Sequence, residues 1–455
     1  MNSFMVAFGL SSIALLIGVA LRAKVGFLRN MLVPSSVIAG IIGFIFMNVV
    51  TSANLKIGTD YSMFTTIVNN LFTISFISIS LTGSSRRKDN TAKNIANGSF
   101  GMGLIWDFLY ALTPLLGFGI ILVIGKAFGM DAIYGTLIPF AFCQGPGQAA
   151  AFGTLYEQFG WDNAVMVAVT FAAIGFVAAF GIGIPIAKAG IRKGIAKNCG
   201  ELDSSILKGY LTKEEQTNYM VKDTTCNSNI ETLTYHFAVI GICYVGAIGI
   251  SKLFALIPGF FGTSMSGLMF MNGMFAAYII KFIMKKLHID FLLEDVLQTK
   301  ITGWTADYLV VCAFMAINFQ VIAKWSVPII VECVIMTVVT YFVCLYFGRR
   351  IGGSNDFERT LGIYGTCTGT VPSGIALVRI VDPEFKTTTS IELGLCNLVM
   401  MFSTPVYIVL LGYASGSMST TITLLILAAL VPVYMILMKV FRCWGKPTYS
   451  WKKAE

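Results

Sequence analysis

The chain has 455 residues, 56% of them hydrophobic and only 12% charged, with a formal net charge of +9 and a mean hydropathy of +0.77. Soluble domains carry about 25% charged residues, which excludes an ordinary soluble protein. Apolar runs of about 18 residues or more recur from end to end, each able to cross ~30 Å of hydrocarbon. The expected fold class is therefore all-α and polytopic. A membrane β-barrel would show alternating segments of about ten residues instead.

In chain order, the first apolar run (4–21) has no basic segment before it and is followed by Arg22 and Lys24, so it reads as a retained helix and not a signal peptide. Spans are expected over 3–21, 31–50, 63–81, 99–125, 164–187, 234–257, 262–284, 303–323, 327–347, 388–411 and 420–439. Two apolar stretches remain. One, 132–158, is broken at Gly145–Gly147, and the other, 359–381, is broken around "GTCTGTVPSG", Gly365 to Gly374.

Charge placement decides what these two stretches do. Basic residues follow the first span (Arg22, Lys24, Arg29), the third (Arg86, Arg87, Lys88, Lys93) and the 164–187 span (Lys188, Arg192, Lys193, Lys197). Others sit at Lys285, Lys286, Arg349, Arg350 and in the tail at Arg442, Lys446, Lys452 and Lys453. If both broken stretches enter and leave on one side, about 28 of the 32 Lys and Arg fall in the cytoplasm, as the positive-inside rule requires. The expectation is eleven spans plus two opposed re-entrant hairpins, N-terminus outside and C-terminus cytoplasmic. The positive charge then sets orientation, and no nucleic-acid partner is expected.

The polar segment 188–233 divides the chain and reads as a cytoplasmic linker. The halves on either side, 1–187 and 234–412, each show four spans, a broken hairpin and a fifth span in opposite orientation. Residues 413–455 form an unpaired accessory helix and a basic cytoplasmic tail. Spacing agrees: Asp107 precedes Pro146 by 39 residues and Glu332 precedes Pro372 by 40. Inverted repeats with broken helices are a signature of secondary transporters, whose sites lie near the bilayer midplane.

The breaks carry the candidate chemistry. A helix starting inside the membrane presents unpaired N–H groups and a partial positive charge, which attract a carboxylate. A helix ending there presents free carbonyls that suit Na⁺. Candidate substrate-binding positions are Gln144, Gly145, Pro146, Gly147 and Gln148 in the first break, and Thr368, Gly369, Thr370, Pro372, Ser373 and Gly374 in the second. Arg379 is added as a guanidinium able to reach a carboxylate, against the alternative that it snorkels or pairs with Asp382 or Glu384. Candidate Na⁺ ligands are Thr366, Asn318, Asn397, Asp107 and Glu332. Intramembrane acids are costly and usually functional, although both could instead lie near an interface, and the two amides could instead join helices.

Other chemistry finds no support. Ten scattered cysteines show no metal-ligand spacing, so reduced structural thiols are expected. There are two histidines, His236 and His288, so imidazole chemistry is not expected to dominate. No P-loop, nucleophile elbow, zinc-protease helix or dinucleotide fingerprint appears in a suitable context. Neither an enzyme nor an ATP-driven pump is expected, and no cofactor beyond a coupling ion.

Over roughly 1–412 the chain resembles the bacterial sodium/glutamate symporters. The likeness is carried by "LVPSSVIAGIIGF" (Leu32 to Phe44), "FISISLTGSSRRK", "GPGQAAAFGTLYEQFGWDNA" (Gly145 to Ala164) and "GTCTGTVPSGIAL" (Gly365 to Leu377). The chain departs where that family usually has Gly-His-Gly-Thr and this sequence reads Gly145, Pro146, Gly147, Gln148. Arg379 has no counterpart in the resemblance. The resemblance implies two inverted five-helix repeats with re-entrant loops at the translocation site, Na⁺-coupled uptake of glutamate, and a homodimer in the bacterial inner membrane. The expected function is Na⁺-coupled symport of glutamate or a related acidic amino acid. The alternatives are a Na⁺ symporter for another di- or tricarboxylate, a cation/proton antiporter using Asp107 and Glu332, and a non-transporting membrane sensor or scaffold. A channel fits two opposed hairpins less well than alternating closure does.

Overall fold

The computed structural model describes residues 2–30, 33–82, 91–196, 198, 223–226, 228–258, 260–383 and 386–451. Most of the 188–233 linker lies outside the described residues, as do Arg86, Arg87, Lys88, Lys197, Glu384, Lys452 and Lys453. Among the described residues every regular element is helical. The main helices are α1 (Ser3–Lys24), α2 (Ser35–Ser52), α3 (Tyr61–Leu81), α4 (Thr91–Ile124), α5 (Ile138–Phe142), α6 (Pro146–Gln158), α7 (Ala164–Arg192) and α8 (Thr232–Ala255). They continue as α9 (Met269–Lys286), α10 (Asp295–Met315), α11 (Ser326–Gly348), α12 (Asp356–Cys367), α13 (Val371–Val381), α14 (Thr389–Val399), α15 (Thr404–Ala414) and α16 (Thr420–Val440).

Nine helices among the described residues are long and apolar enough to cross a membrane, so the chain is a polytopic helical membrane protein. The expected spans 262–284 and 303–323 fall outside that set. The first is divided into a short helix, Phe260–Gly267, and α9, which carries Lys281, Lys285 and Lys286. The second is displaced: α10 begins at Asp295 and stops at Met315. Asn318 then caps a separate turn, Phe319–Ile322, its side chain accepting from Gln320 N at 3.0 Å. A cap of this kind competes with continuing the helix, so Asn318 sits beyond the span and not within it. The expected 388–411 span is also interrupted, by a 3₁₀ turn at Met400–Ser403, and α15 restarts with Pro405 in its first turn.

The chain forms two compact units, each drawing on both halves of the sequence. One comprises Met1–Gly18, Ala39–Arg86 and Leu211–Ala316. Its core joins Ile77 and Leu81 of α3 to Val239 and Ile240 of α8, Ala277 of α9 and Ile301 of α10. Ser78 Oγ donates to Gln298 O at 2.9 Å across that core. His236 is structural here: Nε2 accepts from Glu294 N at 2.8 Å, which leaves Nδ1 to donate to Thr232 O at 2.7 Å.

The other unit comprises Val19–Ile38, Arg87–Tyr210 and Ile317–Glu455. It contains α4, both broken segments, α7, α11 and α14 to α16. Both α4 and α7 exceed the length needed to span, at 34 and 29 residues.

Candidate functional site

The first broken segment folds back on itself. A 3₁₀ turn, Ala132–Leu137, leads into α5, which ends at Phe142, and α6 starts at Pro146. Phe140 stacks on Phe152 with centroids 3.7 Å apart, and the hydroxyls of Thr136 and Tyr156 lie 2.9 Å apart. Those pairings place the two arms antiparallel. Gly145 turns the chain at φ 76° and ψ −168°, a region that side chains rarely enter.

Neighbouring helices hold this tip. Trp106 Nε1 of α4 donates to Cys143 O at 2.8 Å, occupying a carbonyl freed by the break. One turn on, Tyr110 donates to Gln148 Oε1 at 2.7 Å, and Gln148 Nε2 donates to the Tyr407 hydroxyl at 3.2 Å. Gln148 is completely buried. Gln144 is half-buried, and among the described residues its amide approaches Met400 Sδ, at 4.0 Å.

The second segment is tighter. Arms α12 and α13 meet backbone to backbone: a Cβ on Gly365 would lie 2.8 Å from Gly374 Cα. Thr366 and Thr368 turn their hydroxyls back onto the carbonyls of Gly362 and Tyr364, at 2.9 and 2.7 Å. Thr370 is the N-cap of α13 without a side-chain cap bond, and its hydroxyl lies 3.3 Å from that of Ser373. Gly145 likewise offers α6 no side-chain cap. Both half-helices therefore begin with Pro in the first turn and N–H groups not covered by a cap side chain.

The two breaks meet. A Cβ on Gly145 would strike the Thr370 methyl and lie 2.8 Å from Gly369 O. Gly175 of α7 admits both segments, since a Cβ there would lie 2.6 Å from Thr368 O and 3.4 Å from the Phe142 ring. The structure thus brings Gly145, Gly369 and Thr370 together, with Gln144, Pro146, Gly147, Gln148, Thr368, Pro372, Ser373 and Gly374 within a turn of them along the chain.

The remaining candidates lie elsewhere. Arg379 is exposed in the last turn of α13, eight residues or about 12 Å along the helix from Val371. It lies close enough to Arg22 for the two charges to repel. Asp382 spends its carboxylate on Lys386 N, Thr387 N and Thr387 Oγ, all within 2.8 Å. Among the described residues Asn397 makes a local bond, to Gly394 O at 3.0 Å. Asp107 and Glu332 are both fully buried, and among the described residues neither carboxylate has a hydrogen-bond partner. Glu332 Oε1 occupies the space left by Gly117, 2.5 Å from where a Cβ would stand.

The sodium/glutamate symporter family model matches residues 3–387. The chain belongs to the sodium/glutamate symporter family. Curated relatives include the sodium/glutamate symporters of Escherichia coli K12 and Shigella flexneri, each 22% identical over 381 residues, covering 82% of this chain and 88% of the relative. This member of the sodium/glutamate symporter family is therefore a multi-pass membrane protein of a transporter family. The match spans both broken segments and stops before α14.

Sequence reasoning passed over one feature of this symporter-family chain. Arg359, in the first turn of α12, is 1% exposed. Its Nε and Nη2 grip the Glu392 carboxylate at 2.7 and 2.8 Å, and Nη1 reaches Asp356 at 3.1 Å. Further bonds run to Gly352 O and Asn94 O, each 3.1 Å. Gly98 of α4 makes room, because a Cβ there would lie 2.7 Å from Arg359 Nε. The i, i+3 spacing of Asp356 and Arg359 was the one local signal for this cluster.

Proposed function

We propose that this protein is a Na⁺-coupled symporter that imports glutamate or a related acidic amino acid across the bacterial inner membrane, working as a homodimer. One observation carries the reading: two uncapped half-helix N-termini begin where the breaks meet, at Gly145 and Thr370. Positive dipole ends that come close together favour a carboxylate without a fixed cation. The carbonyls of Thr366 and Thr368 and the Thr370 and Ser373 hydroxyls supply neutral oxygens for Na⁺. Both ligands engage the same tips, so each stabilises the arrangement the other needs, which is the thermodynamic content of coupling.

Radiolabelled glutamate uptake into proteoliposomes, with and without an inward Na⁺ gradient, tests the reading. Gradient-dependent accumulation is expected. Na⁺-independent uptake removes the coupling, and a competition panel in which no acidic amino acid or dicarboxylate competes removes the substrate class.

The burial of Asp107 and Glu332 without partners among the described residues favours a second reading, a cation/proton antiporter. It requires Na⁺-induced pH changes inside the vesicles without any organic substrate, abolished by Asp107→Asn.

A further inference from the structure

The tail after α16 turns back onto the protein. Arg442, at φ 57°, reverses the chain. Cys443 is buried, and Trp444 sets its ring edge-on to Phe347, 5.1 Å between centroids. Gly445 N donates to Arg350 O at 2.8 Å and Thr448 N to Arg349 O at 2.9 Å. Arg349 is the C-cap of α11, where a helix leaves acceptors unpaired, and Arg350 follows it. A distant segment thus does the capping that adjacent residues usually do.

The same segment seizes the start of α12. Thr448 Oγ donates to Asp356 Oδ2 at 2.8 Å, on the carboxylate that also holds Arg359. Tyr449 donates to Thr360 Oγ at 3.0 Å. The Phe357 ring is gripped edge-on by Tyr449 and Trp451, at 5.4 and 5.8 Å. Lys193, just past α7, donates to Trp451 O at 2.6 Å with its ammonium 5.6 Å from the indole. Residues 443–451 therefore tie the ends of α7 and α11 to the first turn of α12.

Three observations set this contact apart from ordinary packing. Its hydrogen bonds are neutral or partly exposed, so they can be exchanged for water. Its target, α12, runs as one continuous helix to Cys367, so a shift at Asp356 is carried to the tip. The segment also lies beyond residues 3–387, the part matched by the family, so the family match does not account for it.

We propose that residues 443–451 are an intramolecular latch, which holds the first arm of the second hairpin in the arrangement seen here and slows the cycle until it lifts. Slowing of transport rests on the transport reading above; restraint of α12 does not. The test compares four reconstituted proteins: wild type, Thr448→Val with Tyr449→Phe, a chain ending at Arg442, and Lys193→Cys with Trp451→Cys. The last also carries Cys226→Ser to remove an exposed thiol.

Hydrogen exchange of residues 356–367 is expected to quicken about tenfold or more in the double hydroxyl deletion, which keeps the aromatic rings of the tail. The shortened chain should match or exceed it. Oxidising the paired cysteines should slow Na⁺-driven glutamate uptake, and reductant should restore it. Unchanged exchange over 356–367 in the hydroxyl-deleted protein overturns the latch, as does equal uptake by its oxidised and reduced cysteine forms. If wild type accumulates no acidic amino acid, the substrate reading fails, and the exchange comparison still decides whether the tail restrains α12.

Discussion

The two hairpins meet at their tips but are restrained at different points and by different forces. In the first, the restraint lies within a turn of the break and is uncharged: Trp106 on Cys143 O, and Tyr110 and Tyr407 on Gln148. In the second, the strongest restraint lies at the base of the arm and is ionic, with Arg359 gripping Glu392 and Asp356. Its tip is shaped by glycine packing and by hydroxyls bonded within their own helix. The first hairpin thus offers a preset platform, and the second a lever gripped by ion pairs at its root and by neutral packing alone at its tip. Ligand-induced adjustment is expected at Thr370–Gly374 more than at Gly145–Gln148.

The largest expected effect breaks the meeting point itself. Gly145→Ala forces a side chain into a positive-φ position and into Thr370 and Gly369 O. Strain of about 1–3 kcal/mol plus the clash should lower uptake by at least about tenfold in the proteoliposome assay. Next comes the root of the lever. Arg359→Met strands two buried carboxylates at a cost of about 3–5 kcal/mol, read as a lowered thermal midpoint in detergent. Pairing it with Glu392→Met should recover part of that loss; no recovery would show that Asp356 alone dominates.

Tyr110→Phe should act more mildly and on the platform alone. It leaves a buried amide oxygen without its donor, at about 1–3 kcal/mol, and should weaken apparent substrate affinity while hydrogen exchange of α12 stays at the wild-type rate. Equal disturbance of both hairpins would erase the contrast drawn between them. The smallest effect is expected at Arg379, exposed and far from the tips. Arg379→Gln should change uptake by no more than about fivefold, the scale of a surface charge; a larger loss would return it to the substrate site.

The sequence made much of this legible, and the reasons are local. Gly-Pro-Gly at 145–147 and Thr-Val-Pro-Ser at 370–373 announce helix breaks by backbone chemistry, and the helices break at Cys143–Gly145 and Thr368–Thr370. Span positions followed from apolar length, and failed where a cap intervened, as at Asn318. The burial of Asp107 and Glu332 was suggested by their position within apolar runs. What stayed hidden depends on contacts distant in the chain. Glu392 lies 33 residues from Arg359, and Tyr407 lies 259 from Gln148, separations that no periodicity encodes. Arg359 itself carried no expectation: the broken stretch was expected to begin at 359, and its first arm in fact begins at Asp356.

Trp106 has a practical consequence. Its indole lies parallel to Tyr110 at 4.4 Å and spends its proton on the carbonyl at the first break, so its emission should depend on whether that bond is intact. With the other five tryptophans exchanged for phenylalanine, excitation at the red edge, where tyrosine does not absorb, would report on this one indole beside the first break. Emission that stays constant on adding cation or solute would show optically that the platform holds while the second tip adjusts, and a red shift would show that the platform itself loosens.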